Sequence, residues 1–311
     1  MLKKIRRSIS ALKYYLTYDK NIDTPIFNAE DGLCFLDICK DSLRMNKNVP
    51  KVVWMYWDHG NIPVYIQKII QKFKKLNPEY NIKILSAGTL SEYLPNLKFS
   101  ASDLNLANKS DIIRLELLYN YGGIWVDCTT IFYEDLSWLN SLIEKNKYDC
   151  IGYYREVSTI DYEFPVIESW FLCAPPKNRF IKEWLDILSP LKDMGSEQYF
   201  LMIASRSDFN IIKQEITTPE YLLVYLAEQI AMRNIKNNNF YLRKCESTAF
   251  LYQEYFEWDS IKMTTLLTQL NKPSDMPPLI KLTNYDRVYL DHLINLNLVR
   301  KNSIFYELLN Q

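Results

Sequence analysis

The stretch SDIIRLELLYNYGGIWVDCTT, residues 110–130, decides the fold of this chain of 311 residues. When it is placed around a helix at about 100° per residue, its large apolar side chains cover most of the circumference. Only Glu116 and Asn120 form a narrow polar face, so we expect a nearly buried helix. Asp111 and Arg114 project from its apolar surface, and a buried charge must be paired or take part in function.

Asp111 and Arg114 are three residues apart, so the pair fits either an ion pair within the helix or a ligand-binding site. The glycine pair at 122–123 predicts the end of the helix, because glycine readily adopts the left-handed conformation found there. The apolar run 124–126 predicts a strand covered on both faces, and Asp127 follows it. Ligands of open α/β sheets bind at that end of the strands, which favours the binding site.

Strand patterns alternate with helix patterns along the rest of the chain. A strand pattern at 51–57, a helix pattern at 64–76 and a strand pattern at 81–85 form a β-α-β unit, which is typical of the α/β class. Further strands are predicted at 148–154, 164–174 and 275–283, and helices near 31–43, at 135–145, at 178–188 and within 196–236. The central helix is expected to begin with Ser102 or Asp103 as its N-cap.

The pattern S-D-x-x-R-x-x-x-L-x-x-x-G-G-x-[WY]-x-D in residues 110–127 resembles the core of glycosyltransferases whose sugar-binding region contains a DXD motif. In particular it is similar to the capsular polysaccharide synthesis proteins related to them. The resemblance implies an α/β fold of the GT-A type, with a mixed, mostly parallel sheet flanked by helices. We expect an N-terminal helical segment over residues 1–48 and a GT-A-like catalytic domain over 49–311.

The resemblance also implies roles at the donor side. Asp111 and Arg114 would hold hydroxyl groups of the donor sugar, and Asp127 would face the ribose, the sugar and a metal-bound diphosphate. Trp57 matches an aromatic position that stacks on the nucleotide base, a task suited to its large π-face. The alternative for Trp57 is a side chain buried in the core of the strand.

A divalent cation, Mn²⁺ or Mg²⁺, is implied as cofactor with Asp127 as its ligand. The family's second aspartate would fall at position 129, where this chain has Thr129. A hydroxyl is a weaker ligand than a carboxylate for a hard cation. Lys281, on the late strand, or Arg287, just after it, could supply positive charge instead, or each could be a solvated surface charge.

The acceptor side is expected around the strand at 164–174. Relatives have an amide or a similar polar residue where Ser169 stands, so Ser169 and Glu168 are acceptor-side candidates. An ordinary strand end is the alternative for both.

Composition excludes several classes of function. Thirty-seven basic and 37 acidic residues cancel, so the chain has no global field that would attract nucleic acid. Six cysteines without a C-x-x-C pair, and only two histidines, argue against structural zinc and fit a reducing cytosol. No apolar run approaches the roughly 20 residues that span a bilayer.

Residues 1–20 have the pattern of a basic amphipathic helix. Apolar side chains recur at helical spacing, the set being Leu2, Ile5, Ile9, Leu12 and Leu16, and the basic residues before Asp19 are Lys3, Lys4, Arg6, Arg7 and Lys13. This helix fits either peripheral contact with an anionic membrane or packing on the domain.

The predicted function is transfer of a hexosyl unit, with retention of configuration, from a nucleoside-diphosphate sugar. The acceptor would be a bacterial capsular polysaccharide or a lipid-linked glycan precursor, and the enzyme would be cytoplasmic. One alternative is a non-catalytic relative that binds nucleotide sugars or glycans, which Thr129 motivates. Another is a protein acceptor, as in toxin glucosyltransferases that share the core pattern. We expect none of the large extra domains of such toxins, which argues against this alternative.

Overall fold

The computed structural model describes residues 2–40, 48–58, 60–145 and 147–311. Its strands are β1 (Phe35–Cys39), β2 (Val52–Tyr56), β3 (Asn81–Leu85), β4 (Gly123–Val126), β5 (Thr130–Phe132), β6 (Cys150–Tyr154), β7 (Ile167–Ala174), β8 (Asn239–Lys244) and β9 (Leu279–Lys281). Its α-helices are α1 (Leu2–Thr17), α2 (Ala29–Gly32), α3 (Val64–Leu76), α4 (Leu106–Tyr121), α5 (Ser137–Lys145), α6 (Arg179–Leu188), α7 (Leu191–Met194), α8 (Ser196–Ala204), α9 (Phe209–Lys213), α10 (Leu223–Asn234), α11 (Leu251–Tyr255), α12 (Ser260–Thr268), α13 (Leu290–Asn295) and α14 (Ile304–Asn310). Short 3-10 turns lie at Leu90–Glu92 and Glu156–Ser158.

A seven-stranded sheet, in the order β1-β8-β6-β7-β4-β2-β3, forms the centre of the molecule. Five of these strands run in one direction, and only β7 and β1 run against them. One hydrophobic core lies on each face of the sheet, one containing residues of α3, α12 and α14 and the other residues of α4, α6 and α10. The predicted α/β class, a GT-A-type mixed and mostly parallel sheet flanked by helices, is confirmed.

Strand β4 lies inside this sheet and is covered on both faces. Ile124 and Val126 belong to one core and Trp125 to the other, because successive side chains of a strand point to opposite faces. All four residues of β4 are buried. The prediction of a doubly covered strand ending before Asp127 is therefore confirmed.

Helix α4 is buried as predicted, but its start was predicted wrongly. The N-cap is Asn105, whose side chain accepts a hydrogen bond from the Asn108 backbone. Asp103 instead contacts the start of α8, since its carboxylate accepts hydrogen bonds from the backbone and side chain of Ser196, each at 2.8 Å. At the other end Gly122 has φ of +67°, and a β-carbon there would lie 2.5 Å from Pro176.

Only the start of the helix predicted near 31–43 is helical, because α2 ends at Gly32 and a strand follows, and residues 41–43 lie outside the described ranges. Residues Phe35–Cys39 form edge strand β1, antiparallel to β8, with Ile38 opposite Phe240. Strand β8 was not predicted, so the sequence offered no partner that would favour an extended conformation. The domain division at residues 48 and 49 stays a prediction.

A second, two-stranded sheet joins β5 to β9 in antiparallel register, with Thr130 opposite Lys281. The late strand is thus shorter than predicted, at Leu279–Lys281. The backbone amide of Leu282 continues the pairing by donating to the Thr129 carbonyl at 2.9 Å. This small sheet brings the chain near residue 281 back to the end of β4.

Candidate active site

Polar side chains from separate elements meet where β4 ends. Strand β7 is antiparallel to β4, so its beginning lies at the carboxyl end of β4, and the Asp127 amide donates to the Trp170 carbonyl at 2.9 Å. Glu168 and Ser169, which precede Trp170, therefore lie at the same edge. Helix α4 adds Arg114. In an α/β sheet this edge is where ligands bind.

The Arg114 guanidinium connects three elements of the fold. It donates to the Asp111 carboxylate, to the Ser169 hydroxyl at 2.8 Å and to Asp127 Oδ1 at 3.2 Å. Its side chain is only 5% exposed, and its central carbon lies 5.1 Å from the centre of the Trp125 ring. A planar guanidinium suits this task because its donors form a rigid fork. The ion pair within the helix, one of the two alternatives from the sequence, is present, and the ligand-binding role stays a prediction.

Both oxygens of the Asp127 carboxylate have donors. Oδ1 accepts from Arg114 and from the indole nitrogen of Trp125 at 2.9 Å, while the Lys281 ammonium lies 3.2 Å from Oδ2. Lys281 also donates to the Thr129 hydroxyl at 2.8 Å. The Asp127 side chain is still 26% exposed, so a ligand can reach it.

The two carboxylates of the cluster have opposite pKa shifts. Burial raises the pKa of Asp111 to about 6, despite the Arg114 charge beside it, and the Asp127 charge adds to the rise. Burial also favours the neutral form of Asp127, but Lys281 and Arg114 together outweigh it and lower the Asp127 pKa. The difference arises because both acids share Arg114, whereas only Asp127 has a second cation, Lys281, beside it.

The acceptor-side candidate Glu168 is buried and accepts a hydrogen bond from the Tyr225 hydroxyl at 2.5 Å. Burial raises its pKa, although the Arg155 charge acts against the rise. Arg155 itself forms ion pairs with Glu246 at 3.2 Å and Glu254 at 2.7 Å. Glu168 therefore lies next to Ser169 in the chain but has a separate set of partners.

Two further donor-side candidates, Trp57 and Arg287, come from other segments of the chain. Trp57 follows β2 directly, where its half-buried ring packs partly against a hydrophobic core, so its stacking role stays a prediction. Arg287 donates to the Thr283 carbonyl at 3.0 Å and to the Asn284 side chain. Its charge still contributes to lowering the pKa of Lys281, after the larger effect of burial.

Sequence reasoning missed two side chains of this region, Trp125 and Tyr225. The signal for Trp125 was present, because residues two apart on a strand point to the same face and Trp125 precedes Asp127 by two. Tyr225 was assigned to an apolar stripe, and its contact with Glu168 depends on how α10 packs against β7. No local pattern indicates such a contact.

The residues at this edge do not fit a divalent cation well. Within the part of the chain that the structure describes, no group of three or more His, Cys, Asp or Glu side chains could hold a metal ion. Asp127, the predicted metal ligand, is already held by Arg114, Trp125 and Lys281. What the cluster offers is carboxylates and a guanidinium for hydroxyl groups, beside an ammonium for an anion.

Fold and site together define an α/β protein with a cluster of charged side chains at the carboxyl edge of a mixed sheet. The chain belongs to the capsular polysaccharide synthesis protein family, whose match covers residues 35–255. The predicted family is therefore confirmed. The chain carries Asp-Cys-Thr at 127–129 and not a complete DXD motif.

Two curated fungal proteins are similar to the chain over part of its length. The O-glycosyltransferase braB of Annulohypoxylon truncatum is 30% identical over 162 residues, which cover 46% of this chain and 38% of braB. The glycosyltransferase afumC of Aspergillus fumigatus is 28% identical over 180 residues, which cover 50% of this chain and 45% of afumC. The chain thus spans less than half the length of either relative.

Among solved structures, the glycosyltransferase GlyE of Streptococcus pneumoniae has 12% sequence identity and a TM-score of 0.37 to this chain. The similarity covers 85% of this chain and 63% of GlyE. The fold assignment rests on the sheet topology described above.

Proposed function

We propose that this protein is a glycosyltransferase that moves a hexosyl unit from a nucleoside-diphosphate sugar to a hydroxyl group. The observation that carries the proposal is the buried Arg114 guanidinium, which joins Asp111, Ser169 and Asp127 at the carboxyl edge of the sheet. Such fixed donors and acceptors suit a ligand rich in hydroxyl groups. Membership of a family named for polysaccharide synthesis supports the same conclusion.

The cluster contains the groups that this reaction needs. The bond between the anomeric carbon and the diphosphate breaks, and the diphosphate departs with the electron pair. The acceptor hydroxyl oxygen bonds to the anomeric carbon and loses its proton, which the leaving diphosphate can accept. Asp111 and Arg114 would hold sugar hydroxyls, and Lys281 would stabilise the negative charge that develops on the diphosphate. Asp127 would orient both cations. No group stands out as a nucleophile, and retention of configuration is proposed from the family resemblance alone.

The acceptor is proposed to be a glycan or a lipid-linked glycan precursor that approaches past Glu168 and Ser169. The name of braB, an O-glycosyltransferase, supports a hydroxyl acceptor. Both curated relatives are fungal, so the bacterial setting expected from the sequence remains a prediction. A protein acceptor is the second candidate, and an acceptor screen separates the two.

The test is transfer and hydrolysis of a panel of UDP-, GDP- and TDP-sugars, with Asp127→Asn as the diagnostic variant. We expect activity with at least one donor, and a loss of at least about a hundredfold in Asp127→Asn. Asp149→Asn is the control, because Asp149 is a buried aspartate outside the proposed site whose carboxylate accepts a hydrogen bond from the Asn239 amide at 2.9 Å. Donor binding without any turnover would contradict the enzymatic function and would indicate a non-catalytic protein that binds nucleotide sugars.

Helix α1 supports peripheral contact with a membrane as part of this function. It packs on the protein through Ala11 and Tyr14, and the Tyr14 ring stacks on Tyr289 at 5.6 Å. Its opposite side carries apolar residues that are open to solvent, Ile9 at 62%, Leu12 at 46% and Leu16 at 74% exposure. The described part of the chain has no helix both long and apolar enough to cross a bilayer.

We propose that this exposed face of α1 rests on an anionic membrane at its cytoplasmic side, near lipid-linked acceptors. The five basic residues in the sequence of α1 are opposite in charge to such a surface. The test is sedimentation with phosphatidylglycerol vesicles and with phosphatidylcholine vesicles. Wild type should bind only the anionic vesicles, and Leu12→Ser/Leu16→Ser should bind several-fold more weakly. Equal binding of this variant and the exposed-site control Ile211→Ser would contradict the proposal.

A further inference from the structure

The Lys281 ammonium lies between the two side chains that would hold a metal in a complete DXD motif. It is 3.2 Å from Asp127 Oδ2 and 2.8 Å from the Thr129 hydroxyl. Its third contact is the Leu282 carbonyl at 3.1 Å. An ammonium has three hydrogens to donate, and these three oxygens account for them. The ammonium of the protein's own Lys281 thus lies between Asp127 and Thr129.

Backbone pairing fixes the origin of the Lys281 side chain. Lys281 is opposite Thr130 in the small sheet, and its amide donates to the Ala249 carbonyl at 3.0 Å. Its carbonyl accepts from the Gln253 side chain at 2.7 Å. The side chain is only 12% exposed, so the ammonium position follows from the fold and not from a mobile surface group.

A divalent ion at Asp127 would have to displace this ammonium or lie beside it. Displacement would leave a largely buried positive charge without its carboxylate, which is strongly unfavourable. Coexistence would place like charges a few ångströms apart in a poorly solvated site. Thr129 offers one neutral oxygen where a hard cation prefers carboxylates, whereas a hydroxyl accepts well from an ammonium.

The charges of the cluster are also balanced without a metal. Asp111 and Asp127 carry two negative charges when ionised, and Arg114 and Lys281 carry two positive charges. Lys281 lies on the side of Asp127 away from Arg114, since the two cations contact different oxygens of the carboxylate. An incoming diphosphate therefore meets an ammonium that is already oriented, which is the arrangement that lowers the cost of reorganisation.

We propose that the Lys281 ammonium, held by Asp127 and Thr129, receives the diphosphate of the donor, so that a nucleoside diphosphate binds without a divalent metal. This rests on the proposed function. The hydrogen that the ammonium directs at the Leu282 carbonyl turns to a phosphate oxygen, while Asp127 and Thr129 keep the other two. The same contact stabilises the leaving diphosphate after the anomeric bond breaks.

The test is calorimetric binding of UDP, GDP and TDP in excess EDTA and in manganese chloride. We expect wild type to bind at least one of them with a Kd that differs by less than about twofold between the two conditions. Lys281→Met should weaken binding by at least about tenfold, as expected for loss of a charge-assisted bond, and manganese should not restore it. Lys272→Met, which removes a lysine paired with Glu307, is the matched control and should bind normally.

A double variant makes the test sharper. Thr129→Asp/Lys281→Ala restores the second carboxylate and removes the ammonium, so it should bind the nucleotide only when manganese is present. Wild-type binding that requires manganese, or unchanged binding by Lys281→Met, would overturn the metal-free site while leaving the proposed function intact. No binding of any of the three nucleotides under either condition would overturn both.

Discussion

Two buried arginines, Arg114 and Arg243, lie over tryptophan rings and pair with acids, yet only one of them has the surroundings of a binding site. Arg243 on β8 lies 3.6 Å from the centre of the Trp138 ring and bonds Glu134 at 2.8 Å. Arg114 lies over Trp125 and contacts two aspartates and a serine. Stacking and one ion pair are therefore common to both, and what differs is the number of paired carboxylates, two at Arg114 and one at Arg243.

The comparison shows how a structural ion pair and a candidate site can be told apart. Among the described residues, Arg243 forms an ion pair with one carboxylate, that of Glu134. Around Arg114 the pKa of Asp111 is raised and that of Asp127 is lowered, so two acids with different environments share one cation. Acids whose pKa values are driven apart are typical of functional sites.

The largest expected effect comes from removing each arginine in turn. Arg114→Ala should lower the free energy of unfolding by about 3–5 kcal/mol, because it leaves the buried Asp111 carboxylate without its partner. Arg243→Ala should lower it less, because the Glu134 side chain is 33% exposed and can be solvated. Only Arg114→Ala should also lower the transfer rate, by at least about a thousandfold. Denaturant unfolding and initial rates on folded protein measure the two effects.

Arg114→Lys keeps the charge but loses the fork of donors, so it tests the role of geometry in a better-folded protein. It should remain at least about tenfold slower than wild type. Full activity in Arg114→Lys would contradict a role for the geometry of the guanidinium. A loss of transfer rate in Arg243→Ala equal to that in Arg114→Ala would mean that the two arginines do not differ in function.

The next effect concerns the pH dependence of stability. The pKa of Asp111 rises from 3.8 to about 6 on folding, so the native protein keeps a proton that the unfolded chain releases between these values. Stability from this group is complete below about pH 4 and declines as the pH rises through 6, by on the order of 3 kcal/mol. Asp111→Asn should flatten the curve of unfolding free energy between about pH 4 and 6. If Asp111→Asn leaves the slope of unfolding free energy against pH unchanged, the pKa of Asp111 is not raised on folding.

The smallest effect is expected at the hydroxyl that fixes the guanidinium. Ser169→Ala removes the acceptor 2.8 Å from Arg114 and should cost about 1 kcal/mol of stability and about tenfold in kcat/KM. Ser196→Ala is the control, because its hydroxyl bonds the exposed Asp103 at the same distance of 2.8 Å. Equal kcat/KM in both variants would mean that Ser169 does not position Arg114.

Local patterns predicted the parts of the site that lie within one continuous segment. The periodicity of residues 110–121 predicted that Asp111 and Arg114 are buried, and the glycine pair and apolar run placed Asp127 at a strand end. These features depend on neighbours in the chain, because helix periodicity and strand alternation are local properties.

Long-range pairing explains what sequence reasoning could not supply. Lys281 was one of two candidate cations, but its contact with Thr129 spans 152 residues and depends on the register between β5 and β9. The edge strand β1 was missed for the same reason, because its partner β8 is even more remote in the chain and was itself not recognised. Helix α1 showed a third limit, since its apolar pattern does not say which face will pack on the protein.

The most direct measurement is a crystal structure of the protein with an intact nucleoside-diphosphate sugar, grown with manganese chloride and recorded at the manganese absorption edge. We expect that sugar hydroxyls contact Asp111 and Arg114, that the diphosphate contacts the Lys281 ammonium, and that no anomalous peak lies beside Asp127. A nucleotide bound away from Arg114 would contradict the assignment of the site. A manganese ion between Asp127 and the diphosphate would contradict the role of Lys281.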